Sequence, residues 1–516
     1  MSAQLAMVLS RASTVPAGHG GDEPADGAAR GLLSQAAAGP GFWEDLLGEL
    51  RRAGLIAALL ADGVIAAAAQ AGHGHKLDRT LTAEVTALCV ITGALFPDQG
   101  YDLILARTFG MPGLPVKPGT VTPSGPALSQ ARVLLGEQVM RAVFELDAAR
   151  SDMELGIGAT WHGMETTGMD GTTVELFSND ALAGEFGVPA GGTKPKIRIV
   201  AHTRTGSRRW IAAAVGGYND GENKLADQLE ESFTAGLLDL ADRGFFSMGR
   251  WIRFSARGAH LAWRVKNGAK SVPFKTLRTL SDGSELVLLR ESSSMLAKRR
   301  RDAGDKTLPR LADTVARLVS FTIAARTARR VKTTTLKVLT TLLDPEEFPA
   351  REIAALYAER WQIEIAFLHL KKTVKGTGRV LRGRSVTLAR QEARALLLVH
   401  NMTATLAARA TLAARAALAA GADPDLIPFT AVLSLLRGHI TADTCCRHCG
   451  KRPASGNDPI ALLIADILAQ PHDREKRDRT SGRTTFQRQH WHTEPVTYTI
   501  TIIPSNLPQA DITPGT

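Results

Sequence analysis

The chain has 516 residues, 44% of them hydrophobic and 22% charged, with a formal net charge of +11 and four cysteines. That length exceeds one average domain, so two to four are expected, and so few cysteines exclude a disulfide scaffold and suit a reducing cytosol. The positive balance points to an anionic partner, most simply nucleic acid, and no uninterrupted apolar run reaches the ~18 residues of a membrane-spanning helix.

Residues 1–40, rich in Gly, Ala and Pro, read as a disordered arm without the features of a signal peptide. Residues 41–150 read as a helical N-terminal domain. LTAEVTALCVITGALF and ALSQARVLLGEQVMRAVFEL carry helical patterning, and GMPGLPVKPGTVTPSGP between them marks a linker.

The pattern changes after Trp161. METTGMDGTTVELF, KIRIVAHT and RWIAAAVGG are strand candidates, NKLADQLEESFT is a helix, and GLLDLADRGFFS is a strand ending at Asp242. Strands interleaved with helices predict an α/β domain. HLAWRVK, FKTLRTL, SELVLLRE, ARLVSFTI and KTTTLKVLTTL add five more strand candidates, with a hairpin turn at Ser281–Ser284. An α/β domain does not need so many strands there, which predicts a β-rich insertion over about residues 265–340. After Lys372 the chain turns mainly helical, and residues 411–516 read as a helical C-terminal region with a basic tail, DREKRDRTSGRTTFQRQHWHT.

Three carboxylates stand out. Asp170 lies inside a strand, where a buried carboxylate is costly unless paired, hydrogen-bonded or metal-bound. Asp242 closes a second strand, and strand C-termini in open α/β sheets are where ligand sites form. Glu364 lies in YAERWQIEIAFLHLKK, Tyr357 to Lys372. On a regular helix Tyr357, Arg360, Glu364 and Lys371 share an arc of about 60°, flanked by Ile363, Phe367 and Leu370. A polar stripe inside an apolar face is either a solvated Arg360–Glu364 pair or a glutamate aimed into a site. Two aspartates and a glutamate are hard oxygen donors of the kind Mg²⁺ takes, and two such ions can serve phosphoryl transfer.

The Y-x2-R-x3-E-x6-K spacing of Tyr357, Arg360, Glu364 and Lys371, with MDGTT at Asp170 and ADRGFFS at Asp242, resembles the insertion-sequence-four family of DDE transposases. The resemblance is specific from Trp161 to Lys372 and looser in the helical N-terminal segment. It implies an RNase H-like catalytic domain over residues 156–410, preceded by a domain that binds DNA ends. Asp170, Asp242 and Glu364 would be catalytic and would hold Mg²⁺ or Mn²⁺, two ions in all. The element's terminal inverted repeats would be cut, and the freed 3′-hydroxyl would attack target DNA. The partners implied are double-stranded DNA and a second copy of the chain, as a homodimer on DNA in the bacterial cytoplasm at the nucleoid.

Tyr357, Arg360 and Lys371 would grip phosphates beside the cut. Trp361 has two readings, packing or stacking on a splayed base. KGTGRVLRGR leaves the helix directly, so Lys375, Arg379, Arg382 and Arg384 are DNA-backbone candidates; KRRR at Lys298–Arg301 is another. TCCRHCGK gathers Cys445, Cys446, His448 and Cys449, either half of a zinc site that His490 and His492 would complete or ordinary reduced thiols. No phosphate-binding G-x-x-x-x-G-K-[ST] loop or dinucleotide fingerprint is present. Two other readings of the same residues stay open: a metal-dependent nuclease without strand transfer, and a non-catalytic DNA-binding derivative.

Overall fold

The computed structural model describes residues 80–111, 120–152, 160–267, 274–326, 331–418, 427–442, 463–464, 466–468 and 497–503. The chain divides into two compact units, Met1–Asp147 with Arg394–Lys476 and Ala148–Ala393 with Arg477–Thr516.

The first unit is helical. α1 (Ala83–Leu95) starts at Thr82, whose hydroxyl accepts the Val85 N–H at 3.2 Å, the usual way of satisfying a free amide of the first turn. α2 (Tyr101–Phe109) packs on it through Ile104 and Leu105. α3 (Gly125–Ala149) is two helical pieces broken at Gly136, whose φ of 71° is open to glycine but costly for other residues.

The second unit is built on one large mixed sheet. In chain order it contains β1 (Thr160–Trp161), β2 (Met164–Glu175), α4 (Asp180–Phe186), β3 (Lys196–Arg204), β4 (Trp210–Gly217), α5 (Glu222–Asp227), β5 (Leu237–Ala241), α6 (Met248–Ala256) and β6 (His260–Val265). β7 (Phe274–Thr279), β8 (Glu285–Leu289), α7 (Ser293–Ala303), β9 (Thr314–Arg326) and β10 (Val331–Thr340) follow. The sheet order is β4-β3-β2-β5-β6-β10-β9-β8-β7, with β1 beside β2. β2–β5 and β5–β6 are parallel and the other pairs antiparallel. Every strand candidate of the sequence is therefore a strand. The 281–284 turn joins β7 to β8, with Gly283 at a φ of 84°.

Alternation along β5 sends Leu238 and Leu240 to one face and Leu237, Asp239 and Ala241 to the other. The even-numbered face packs on α8 (Ala350–Leu356) and the 3₁₀ turn Tyr357–Arg360, through Ile353, Ala354, Leu356 and Tyr357. The odd-numbered face buries Met169, Leu261 and Trp263 against Phe233 and the α6 residues Trp251 and Phe254. α9 (Trp361–Leu368) crosses β2 at Gly168. A β-carbon at Gly168 would lie 2.1 Å from Ile363 Cδ1 and 2.7 Å from the Leu240 carbonyl oxygen, so the close approach of helix to strand requires glycine.

Three expectations need correction. The segment 223–234 is not one helix: α5 ends at Asp227, and a 3₁₀ turn over Glu230–Ser232 delivers Phe233 onto the ring of His202, 4.3 Å between centroids. Tyr357–Lys372 is not a regular α-helix either. The 3₁₀ turn precedes α9, and a π turn over His369–Val374 follows it. Finally, the C-terminal region contributes a strand, β11 (Thr497–Ile502), which pairs antiparallel with β9.

Two further helices, α10 (Val386–Leu418) and α11 (Phe429–Ala442), follow α9 in the chain. Within the first unit, His400 of α10 stacks on Phe429, 5.0 Å between centroids, and Asn401 Nδ2 donates to Asp147 at 2.8 Å. The proposed zinc residues Cys445, Cys446, His448, Cys449, His490 and His492 and the basic tail to Thr493 lie outside the described residues.

Candidate active site

Two aspartates are brought level by strand register. Met169 of β2 pairs with Ala241 of β5 in parallel, so Asp170 and Asp242 are the next residues on neighbouring strands, whose axes lie ~4.8 Å apart. One step past Met169 and Ala241, both belong to the face that carries α8 and α9. Glu364 sits in the first turn of α9, the helix that rests on Gly168 two residues before Asp170.

The local chemistry explains how each carboxylate is tolerated. Asp170 Oδ1 accepts the Gly171 N–H at 2.8 Å. Burial nevertheless pushes its carboxyl up to about 6; Glu364 and Glu222 add to the rise, while the Gly171 hydrogen bond and Arg360 oppose it. Asp242 Oδ1 accepts from the Arg243 N–H at 2.8 Å and lies 3.3 Å from Arg264 Nη1. Glu364 Oε1 accepts from Arg360 Nη2 at 2.8 Å, both side chains being largely covered. Arg360 acts on all three carboxylates. Burial works against its charge, but Tyr357, Glu364 and Asp242 outweigh that and hold its guanidinium above the usual arginine range.

Tyr357 is buried, and its hydroxyl donates to the Ala241 carbonyl oxygen at 3.2 Å. Burial raises its pKa. In this arrangement the side chain ties the helix to the end of β5 and does not present a free hydroxyl for a phosphate, contrary to the sequence expectation. Trp361 is half-buried at the start of α9, and Lys371 is half-exposed in the π turn.

Beyond the helix, Lys375 Nζ donates to the carbonyl oxygens of Gly376 (3.0 Å) and Arg379, so its charge stabilises its own loop. Arg379 is exposed, Arg382 is half-buried with its backbone N–H donating to Glu392 at 2.7 Å, and the exposed Arg384 lies over the Phe177 ring at 4.7 Å. The KRRR run lies on α7. There Arg299 pairs with Glu291 at 2.9 Å and Arg300 Nε donates to the Leu308 carbonyl oxygen, while Lys298 and Arg301 are exposed.

The donor set fits a divalent cation: three carboxylates, one of which burial makes reluctant to ionise, are what a hard metal ion would stabilise. The side-chain positions fit less well. Among the described residues no three His, Cys, Asp or Glu side chains are grouped to hold a metal ion, and Glu364 is paired with Arg360 one helical turn earlier.

Sequence reasoning passed over Arg264 and Glu222. Trp263 pairs with Ala241, so Arg264 is level with Asp242; an arginine inside the strand HLAWRVK was the available signal. Glu222 Oε1 would be 2.1 Å from a β-carbon at Gly171, which places a fourth carboxylate against β2, near enough to raise the Asp170 pKa.

Residues 161–402 match the family described as the transposase DDE domain, and residues 52–145 match the insertion element 4 transposase N-terminal family. The chain is 30% identical over 345 residues to the transposase InsG for insertion sequence element IS4 of Escherichia coli (strain K12), an alignment spanning 65% of this chain and 72% of that protein. The chain belongs to the IS4 family of DDE transposases. It is an insertion-sequence transposase, an enzyme that cuts and joins DNA, and the family implies dependence on a divalent metal. A solved structure, the cryo-EM piggyBac transposase synaptic complex with hairpin DNA, aligns over 85% of this chain and 88% of that one, with 10% identity and a TM-score of 0.40. Among the described residues, no transposase helix is long and apolar enough to cross a membrane.

Proposed function

We propose that Asp170, Asp242 and Glu364 form the transposition centre, beside the middle of β2 and the C-terminal end of β5, and that they hold two divalent ions, Mg²⁺ or Mn²⁺. The observation that carries this reading is the Met169–Ala241 register, which levels the two aspartates, together with the seating of α9 on Gly168. The order β4-β3-β2-β5-β6, antiparallel then parallel, supports an RNase H-like core to which β7–β10 are an insertion. Residues 41–150 serve as the DNA-end-binding domain in this reading.

Bound ions would lower the barrier to in-line displacement at phosphorus by stabilising both the attacking and the leaving oxygens. The protein's own part is positional. Asp170 presents its oxygens from within the paired strand β2 and Asp242 from the residue that follows β5, and Asp170 gives up its proton as pH rises through about 6. Glu364 exchanges its Arg360 partner for the centre. The released guanidinium is then free to fork two donors onto a phosphate, with Lys371 as a second positive charge and Arg379 and Arg384 along the DNA backbone. Tyr357 holds the end of β5 in place. The partners are the terminal inverted repeats and target DNA, and a homodimer brings two ends together.

The test uses purified protein with Mg²⁺ or Mn²⁺ and DNA carrying the element's own ends. Cleaved ends and joined products are expected, and Asp170→Ala or Glu364→Ala should abolish both steps while leaving DNA binding in place. Full strand transfer by either variant would overturn the assignment; cleavage without joined products would make the protein a nuclease of the same core.

A further inference from the structure

On the face of the sheet opposite Asp170 and Asp242, four side chains on four adjacent strands form one polar row: His202 on β3, Thr167 on β2, Asp239 on β5 and Trp263 on β6. All four are buried completely. Trp263 Nε1 donates to Asp239 Oδ2 at 2.7 Å, and the Thr167 hydroxyl donates to Asp239 Oδ1 at 3.2 Å. His202 Nε2 lies 2.8 Å from Thr167 Oγ1 and 3.2 Å from Asp239 Oδ1. At the other ring nitrogen, Nδ1 is 2.8 Å from Ser232 Oγ, whose own hydrogen goes to the Leu229 carbonyl oxygen at 2.6 Å. Both ring nitrogens of His202 and both oxygens of Asp239 thus have a polar partner within the row or beside it. The row is a closed hydrogen-bonded network across β3, β2, β5 and β6.

Its position matters more than its strength. Thr167 and Asp239 are register partners, three residues before Asp170 and Asp242 respectively. A slip of one residue between β2 and β5 would send every side chain to the other face and leave these buried polar groups without their partners. The aspartates would lose their level at the same step.

We propose that His202 and Asp239 are positioning residues of the transposition centre: a buried hydrogen-bonded pair on the far face of the sheet that locks β2 to β5 in the register that levels Asp170 with Asp242. This rests on the reading of Asp170 and Asp242 as metal ligands.

The experiment is a Mn²⁺ titration of the full-length protein by calorimetry, paired with a thermal melt and run well below the melting temperature. Asp239→Asn and His202→Gln should each weaken Mn²⁺ binding by about 10- to 100-fold, as loss of outer support does at other metal sites. The double variant, which leaves neither partner facing an unmatched one, should recover at least part of that loss. Folded single variants that bind Mn²⁺ like the parent would overturn the proposal even if they melt earlier, and so would a double variant no better than the singles. Should neither single variant fold, Thr167→Val, which removes only the bridging hydroxyl, carries the same test with the same two outcomes. Asp170→Ala separates the two claims: parent-like Mn²⁺ binding by that variant would sink the ligand assignment itself.

Discussion

Replacing Asp170 by asparagine should make the metal-free protein more stable while destroying its chemistry. The Asp170 carboxyl titrates at about 6 in the fold against 3.8 for a free side chain, burial being the main cause. That difference is ~3 kcal/mol against the ionised form. The folded-state value is the raised one, so the native state keeps a proton that the unfolded chain loses between about pH 4 and 6. The penalty is nearly absent below that window, about half present (~1.5 kcal/mol) at pH 5 and complete at pH 7.5. Asparagine keeps the oxygen that accepts the Gly171 N–H and removes the charge. Melting in EDTA at pH 7.5 should therefore rise by about 6–12 °C for a unit of this size. The gain should shrink by about half at pH 5 and nearly vanish at pH 4. Excess Mn²⁺ should stabilise the parent and not the variant. A variant that melts at or below the parent at pH 7.5, or whose gain ignores pH, would refute the reasoning.

Other substitutions probe neighbouring parts of the same structure. Gly168→Ala forces a β-carbon against Ile363 and the Leu240 carbonyl; it should cost about 1–3 kcal/mol by displacing α9 and reduce cleavage, as read by denaturant unfolding and an end-cleavage assay. Tyr357→Phe removes one hydrogen bond to the Ala241 carbonyl, costing about 1 kcal/mol with DNA affinity unchanged in a filter-binding assay. Lys371→Ala should weaken DNA binding uniformly across sequences and reduce the log–log salt slope by about 1. An unchanged slope would remove Lys371 from the DNA path.

The strands were legible because they are runs of β-branched and apolar residues, several of them bounded by Gly, Pro or Asp, and the local pattern decided them. Asp170 and Asp242 stood out for a related reason: a carboxylate in or at the end of an apolar strand has an energetic cost that sequence alone makes visible. The phase of the Glu364 segment was less accessible. A fixed 100° per residue describes α9 only, whereas the 3₁₀ turn before it and the π turn after it change the direction of Tyr357 and Lys371. The inward turn of Tyr357 follows from its hydrogen bond to the Ala241 carbonyl at the end of β5, which is a tertiary feature. β11 was hidden because TYTITI is short and finds its partner β9 more than 170 residues away. The His202–Asp239 row was invisible for the same reason: each member is an unremarkable strand residue, and only the order of β3, β2, β5 and β6 places them side by side.

The convergence of three carboxylates on shared metal is tested most directly by the anomalous diffraction of Mn²⁺ in crystals of the protein bound to its own end DNA. The account predicts manganese within coordination distance of Asp170, Asp242 and Glu364, with Arg360 turned from Glu364 to a phosphate. Manganese bound elsewhere, or Glu364 still paired with Arg360 while DNA and metal are both in place, would contradict it.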